Sequence, residues 1–205
     1  MGPDFSFEDQ YPDPVAGMDE AGRGPWAGPV VAAVVVLDRA NVPDGLNDSK
    51  KLTEKKRLAL FDQIQASAQV GIGTGSVAEI DQINIARAND LAMERAIKAL
   101  PALPAFVLID GNWVPRALTI PARAIPKGDG RSLSIAAASI IAKVTRDRIM
   151  KDLALLYPGY GWETNKGYGT TGHRDALDTL GVTQHHRRSF KPIHKILGEE
   201  NKITY

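Results

Sequence analysis

Residues 29–37 read PVVAAVVVL, and this run constrains the fold more than any other segment. Its eight consecutive apolar residues, Val30 to Leu37, fall far short of the roughly 20 that a membrane helix needs. Five of the eight are valine, which suits a strand buried in a packed core. Val15 to Asp19 and Ala105 to Asp110 (AFVLID) read as two more short strands, each ending on a carboxylate. Gln69 to Val77 alternates like a strand weakened by its glycines, and Arg123 to Pro126 reads as an edge strand.

Helical spacing fills the intervals. Thr53 can cap a helix with Glu54 in its first turn, running to about Ser67. Residues 79–100 place Ile85, Ala88, Ala92, Ala96, Ile97 and Leu100 at helical spacing before Pro101 and Pro104 stop the element. Arg131 to about Tyr157 reads as one long helix with Leu133, Ala137, Ile140, Ile141 and Val144 on one face. A polar helix follows at Thr171 to Leu180. Strands followed by alternating helices and strands predict an α/β layered fold with helices on a mixed sheet. The last 45 residues form a helical, loop-rich appendage, and no linker separates independent domains.

Composition excludes several chemistries. Cysteine is absent, which removes disulfides, thiolate zinc sites and thiol nucleophiles together. The opening MGPDFSFEDQYPDP has neither the basic start nor the apolar stretch of a secretory signal, so a cytoplasmic protein with no membrane association is expected. The net charge of +1 conceals an asymmetry: residues 1–49 carry −7 and residues 50–205 carry +8. Either this is uneven solvated surface, or a carboxylate-rich metal site stands beside basic, phosphate-facing surfaces.

Carboxylates gather at strand ends: Asp19 and Glu20 after the first strand, and Asp110 after AFVLID. Asp129 sits in the turn KGDG before the long helix, where taken alone it is an ordinary turn or cap aspartate. Hard oxygen ligands are what Mg²⁺ and Mn²⁺ prefer. The loop GRGPWAG contains Gly22, Arg23 and Gly24, a turn that can expose backbone N–H groups. It lacks the ending of a P-loop, and a β-branched run rather than a helix follows it, so it is not a dinucleotide fingerprint.

Six blocks carry a resemblance. GMDEAGRGPWAGPVVAA (Gly17 to Ala33), LNDSKKL (Leu46 to Leu52), IDG (Ile109 to Gly111), KGDGRSLSIAAASIIAKVTRDRIM (Lys127 to Met150), NKGYGTTGH (Asn165 to His173) and HRRSFKPI (His186 to Ile193) fall in the order of ribonuclease HII. The chain resembles that family over most of its length. The resemblance implies a ribonuclease H-like fold, a five-stranded mixed sheet flanked by helices, over residues 1–157. It also implies a C-terminal helical subdomain over 158–205 that helps form the substrate cleft. The family's carboxylate set falls on Asp19, Glu20, Asp110 and Asp129, its ribonucleotide-reading loop on Gly22, Arg23 and Gly24, and its substrate-sensing tyrosine on Tyr168. The implied activity is endonucleolytic cleavage of RNA in RNA/DNA hybrids, and 5′ of single ribonucleotides in duplex DNA, leaving 3′-hydroxyl and 5′-phosphate ends. That activity serves removal of misincorporated ribonucleotides and RNA primers. No C-terminal motif for docking a sliding clamp is present, and a monomer is expected.

Physical reasoning adds roles. Two divalent ions roughly 4 Å apart can activate water on one side of a phosphodiester and stabilise the leaving oxygen on the other. Only the 2′-hydroxyl distinguishes RNA from DNA at one sugar, and a glycine turn with Tyr168 packed on that sugar can sense it. Lys50, Lys51, Lys143, Lys166, Arg187 and Arg188 are candidates for phosphate contacts, with Lys143 the one most expected to be structural because it lies in a helix. Asp147 reads as an ion-pair partner of Lys143, Lys151 or a neighbouring arginine. His173, His185, His186 and His194 lack the zinc-protease spacing and read as surface or packing residues. Two other classes compete: a non-catalytic hybrid-binding protein, disfavoured by acids beside a phosphate backbone, and a DNA nuclease or strand-transfer enzyme, disfavoured by the GRG turn with Tyr168.

Overall fold

The structure, a computed structural model, describes residues 2–200. Its strands are β1 (Val15–Ala21), β2 (Val30–Leu37), β3 (Ala68–Gly75), β4 (Phe106–Asp110) and β5 (Ala122–Ile125). They form one mixed sheet in the order β3-β2-β1-β4-β5. β1 runs antiparallel to β2, and β2 to β3, whereas β1–β4 and β4–β5 are parallel. The helices are α1 (Glu54–Ser67), α2 (Val77–Lys98), α3 (Leu133–Leu156), α4 (Trp162–Asn165), α5 (Thr171–Leu180) and α6 (Lys191–Glu200). This is the five-stranded mixed sheet flanked by helices expected from the sequence.

The unbroken apolar run of β2 now has its cause. Val30, Ala32, Val34 and Val36 share one core with Ala88, Ala92 and Ala96 of α2. Ala33 and Val35 join the opposite core, with Ile64 of α1 and Ala137 and Ile141 of α3. A strand covered on both faces has no solvent side and therefore no polar alternation. The glycines that weaken β3 as a strand are where α2 comes closest. A Cβ at Gly71 or Gly73 would fall 2.1 Å from the carbonyl oxygen of Ala96 or Ala92.

Two local features differ from the sequence reading. Helix α2 starts at Val77 because Ser76 and Glu79 form a capping box. It is broken at Asn84 (φ 68°), whose Oδ1 accepts the N–H groups of Ala86 and Arg87 and so caps the second half from within. A hydrophobic period is blind to such a polar restart. Glu8, unremarked in sequence, is buried at the start of α3 and accepts hydrogen bonds from the hydroxyls of Ser132 and Ser134 and from the Ser134 N–H. An acid at a helix N-terminus is favoured by the helix dipole.

The chain beyond α3 packs Tyr160, Trp162, Ala176, Leu177 and Ile193 into a smaller core with Ala27 and Met150. Among the described residues no helix is long and apolar enough to cross a membrane. The expectation of no clamp-docking motif concerns a C-terminus whose residues 201–205 lie outside the described residues.

Helix α3 lies on β1 at Gly17, where a Cβ would fall 2.0 Å from the Ser134 carbonyl carbon. Backbone cannot yield there without moving α3. Gly17→Ala is therefore expected to cost about 3 kcal/mol, at the high end of overpacking penalties. The urea unfolding midpoint measures this, and an unchanged midpoint would show that β1 and α3 can separate freely.

Candidate active site

Parallel pairing of β1 with β4 sets the site. The register aligns Gly17 with Leu108 and Met18 with Ile109, so the next residue along each strand is Asp19 and Asp110. Gly17 meets α3 and Leu108 packs with Ile135 of α3, so the strand period of two turns both carboxylates to that same face. Asp129 arrives from a 3-10 turn, Gly128–Gly130, between β5 and α3. That turn is tied down by the Gly128 N–H, which donates to Asp110 Oδ1 at 2.7 Å. The three aspartates offer carboxylate oxygens all within 4.8 Å of one another.

Glu20 is placed differently. Its carboxylate pairs with Arg23 at 3.2 Å rather than joining the close trio. Burial, then the charges of Glu20 and Asp110, push Asp19 well above the usual carboxylate range. Burial, then Asp110 and Asp48, also raises Asp129. Lys50 Nζ stands 3.8 Å from Asp129 Oδ2. Desolvation opposes its charge even though the side chain is largely exposed, but Asp129, Asp19, Asp48 and Asp110 together hold it above its ordinary value. A crowded, partly buried, all-oxygen donor set with so little counter-charge fits a divalent cation.

Beside the acids opens a cleft of about 260 Å³, lined by Asp19, Glu20, the Gly22-Arg23-Gly24 turn, Lys50, Lys143 and Tyr168. Tyr168 is 48% exposed, and its ring faces Gly24. The turn is fixed from behind by two buried arginines. Arg187 donates to the carbonyls of Gly22, Arg23, Gly28 and Pro29. Arg146 donates to those of Ala27, Pro29 and Lys166, each at 3.0 Å. A third tie, Trp26 N–H to the Gly167 carbonyl at 2.8 Å, completes the join between the glycine turn and the tyrosine loop. Gly22 adopts φ 99°, and a Cβ there would fall 2.0 Å from Arg146 Nε, so only glycine fits.

Neither arginine makes an ion pair among the described residues. Burial lowers Arg146 to about 10, and burial with the Arg146 charge lowers Arg187 to about 9, so both remain cationic at neutral pH. Their donors occupy carbonyls of the turn, while Arg23 and Gly24, whose N–H groups donate to no described residue, line the cleft.

This overturns the expectation that Arg187 contacts phosphate: it is fully buried, and four of its five donors are spent on backbone carbonyls. Lys166 is half-buried and folds its ammonium onto the Glu163 carbonyl, away from the cleft lining. Lys51 is exposed, its ammonium beside Gly130, and Arg188 is exposed. Asp147 pairs with Lys143 at 2.8 Å, one of the partners expected for it. His173 and His186 are buried, and His194 is exposed. Arg146, which the helical spacing sets off the apolar face together with Asp147 and Lys151, is instead buried, since nothing in the string TRD says which arginine is satisfied inside.

The sheet order and the acids at its strand ends put the chain among ribonuclease H-like α/β proteins. The crystal structure of ribonuclease H2 from Pyrococcus horikoshii OT3 superposes with a TM-score of 0.75 at 29% identity, covering 92% of this chain and 99% of that one. The family model described as Ribonuclease HII matches residues 16–193. A ribonuclease HII of Ruegeria sp. (strain TM1040) is 64% identical over 91% of this chain and 81% of its own. That of Jannaschia sp. (strain CCS1) is 61% identical over 96% and 99%. The chain belongs to the ribonuclease HII family, and is a hydrolase of the ribonuclease H type.

Arg187→Lys should test the buried clamp. One ammonium cannot reach four carbonyls that a planar fork reaches, so buried acceptors lose partners. The expected cost is about 3 kcal/mol in urea unfolding. A variant as stable as the wild type would show that the clamp is dispensable.

Proposed function

We propose that this protein is an endonuclease that cuts the RNA strand of RNA/DNA hybrids and incises duplex DNA 5′ of a single embedded ribonucleotide, leaving 3′-hydroxyl and 5′-phosphate ends. The observation that carries this reading is the joining of two parts in one place: an aspartate trio fit for cations, and a cleft wall built from a glycine turn and an exposed tyrosine. Asp19, Asp110 and Asp129, with Glu20 completing the set beside them, are the residues that would hold Mg²⁺ or Mn²⁺. Two such ions supply an activated water and charge neutralisation at the leaving oxygen.

The rest is done by the chain's own groups. Arg23 and Gly24 present N–H donors to the ribose, where the 2′-hydroxyl is the one group that separates RNA from DNA. The Tyr168 ring packs on the same sugar and excludes water from it. Lys50 and Lys51 attract phosphates, Lys50 from a position already beside Asp129. Lys166 is assigned a phosphate only if its ammonium leaves the Glu163 carbonyl. Residues 158–205 act as a subdomain that carries Tyr168 to the catalytic body of 1–157, and the monomer suffices. Its place in the cell is the cytoplasm, at hybrids left by replication and at misincorporated ribonucleotides.

Asp110→Asn keeps volume and loses a charged ligand, so turnover should fall by at least about a hundredfold, with hybrid binding retained. End-labelled duplexes that are all DNA, all RNA, hybrid, or DNA with one ribonucleotide test the substrate class. Cutting of the hybrid alone, under Mg²⁺ and under Mn²⁺, would replace the single-ribonucleotide reading with a hybrid-only ribonuclease H.

A further inference from the structure

Two fully buried histidines stand behind Tyr168 and are used by nothing described so far. His173 lies in the first turn of α5 and His186 lies just before Arg187, with their Nε2 atoms 3.0 Å apart. Groups that only donate fix the protons on both rings. The Thr183 N–H donates to His186 Nδ1 at 3.0 Å, so the His186 proton sits on Nε2. The Trp162 indole N–H donates to His173 Nε2 at 3.1 Å, so the His173 proton sits on Nδ1. That Nδ1–H lies 2.9 Å from the Tyr168 carbonyl oxygen. The hydrogen bonds therefore run one way, from Thr183 through His186 and His173 to Tyr168. A second proton on His173 would confront two donors, and burial likewise lowers His173 and takes His186 down to about 3.

Tyr168 needs such a support. Its flanking glycines are pinned on the Trp26 side, Gly167 (φ 83°) by the Trp26 N–H and Gly169 by close approach to the Trp26 ring, but its own half-exposed ring has no core around it. Its main chain is held by the Asn165 carbonyl, by the Thr170 N–H and by His173. The last ties it to a fully buried side chain that is itself bonded to Trp162.

We propose that His173, supported by His186, is a positioning residue for ribonucleotide recognition: it fixes the Tyr168 backbone and so the place where the ring meets the sugar. This rests on the reading of Tyr168 given above. The glycine-flanked loop has other main-chain tethers, so loss of this one tilts the ring rather than unfolding the site.

The test compares kcat and KM on a single-ribonucleotide duplex and on a long hybrid, with thermal melts of every variant. His173→Phe should lower kcat on the single ribonucleotide by about tenfold with KM within about twofold, since small misplacements of a positioning group cost rate. The long hybrid should be cut nearly as before, because neighbouring sugars offer other registers. His173→Asn, whose side-chain N–H can replace the Nδ1 donor, should recover most of the loss. In a Tyr168→Ala background, His173→Phe should add nothing. Equal losses on both substrates, no recovery by Asn, or full additivity with Tyr168→Ala would each overturn the proposal. If His173→Phe does not fold, His186→Asn gives the same reading, since it keeps the acceptor for Thr183 and loses the donation to His173. There the expected loss is about threefold, and an unchanged ratio overturns the proposal. If Tyr168→Ala itself leaves the substrate ratio unchanged, the ribose reading of Tyr168 fails and this inference with it. A ratio altered by Tyr168→Ala but not by the histidine variants refutes the histidine role alone.

Discussion

Mutual repulsion among Asp19, Asp110 and Asp129 is the constraint to which the rest of the structure answers. Like charges with oxygens inside 4.8 Å, two of the three residues buried, oppose folding. The sheet imposes the arrangement regardless. Parallel pairing of β1 and β4 is backed on both faces by apolar residues, and α3 lies so close to β1 that Gly17 has no room for a side chain. The core thus holds the acids together at a cost, and a divalent cation would relieve it. Preorganisation of this kind is what catalysis at a phosphodiester needs, because donors already in place need not reorganise during reaction.

The cleft wall proposed for recognition is built on the opposite electrostatic principle. There the buried charges are cations, Arg146 and Arg187, and they are satisfied by backbone carbonyls instead of by acids. Fixing a glycine turn through its carbonyls leaves its N–H groups to the cleft. The same two side chains carry positive charge beneath a surface proposed to meet phosphate and ribose. The aspartate trio and the cleft wall proposed for recognition therefore share β1 as a common root: Asp19 lies within it, and Gly22 follows its last residue.

How much of this was legible beforehand depended on whether a local pattern or a tertiary contact decided the outcome. Asp19 and Asp110 could be read because each ends an apolar strand, and alternation then fixes their facing. The α1 cap at Thr53 and the span of α5 follow from local chemistry and appear where expected. Arg187 was misread because arginine is surface-seeking by default, and only folding shows which one finds carbonyls within reach. Asn84 broke a helix whose apolar spacing looked continuous. Glu8 and the His173–His186 pair gave no signal, since their partners lie 124 and 13 residues away in sequence. Glu20 belongs to the acid block by sequence, but Arg23, three residues on, draws its carboxylate aside.

The central claim is that the aspartate trio is a repulsive arrangement completed by a divalent ion. Thermal unfolding of the wild type and of Asp19→Asn, with and without Mn²⁺, tests it most directly. The account predicts that without metal the variant melts higher than the wild type, having lost a buried like charge. It also predicts that Mn²⁺ raises the wild-type melting temperature, through preferential binding to the folded state, and leaves the variant nearly unmoved. A variant that melts lower without metal, yet gains as much from Mn²⁺ as the wild type, would contradict it.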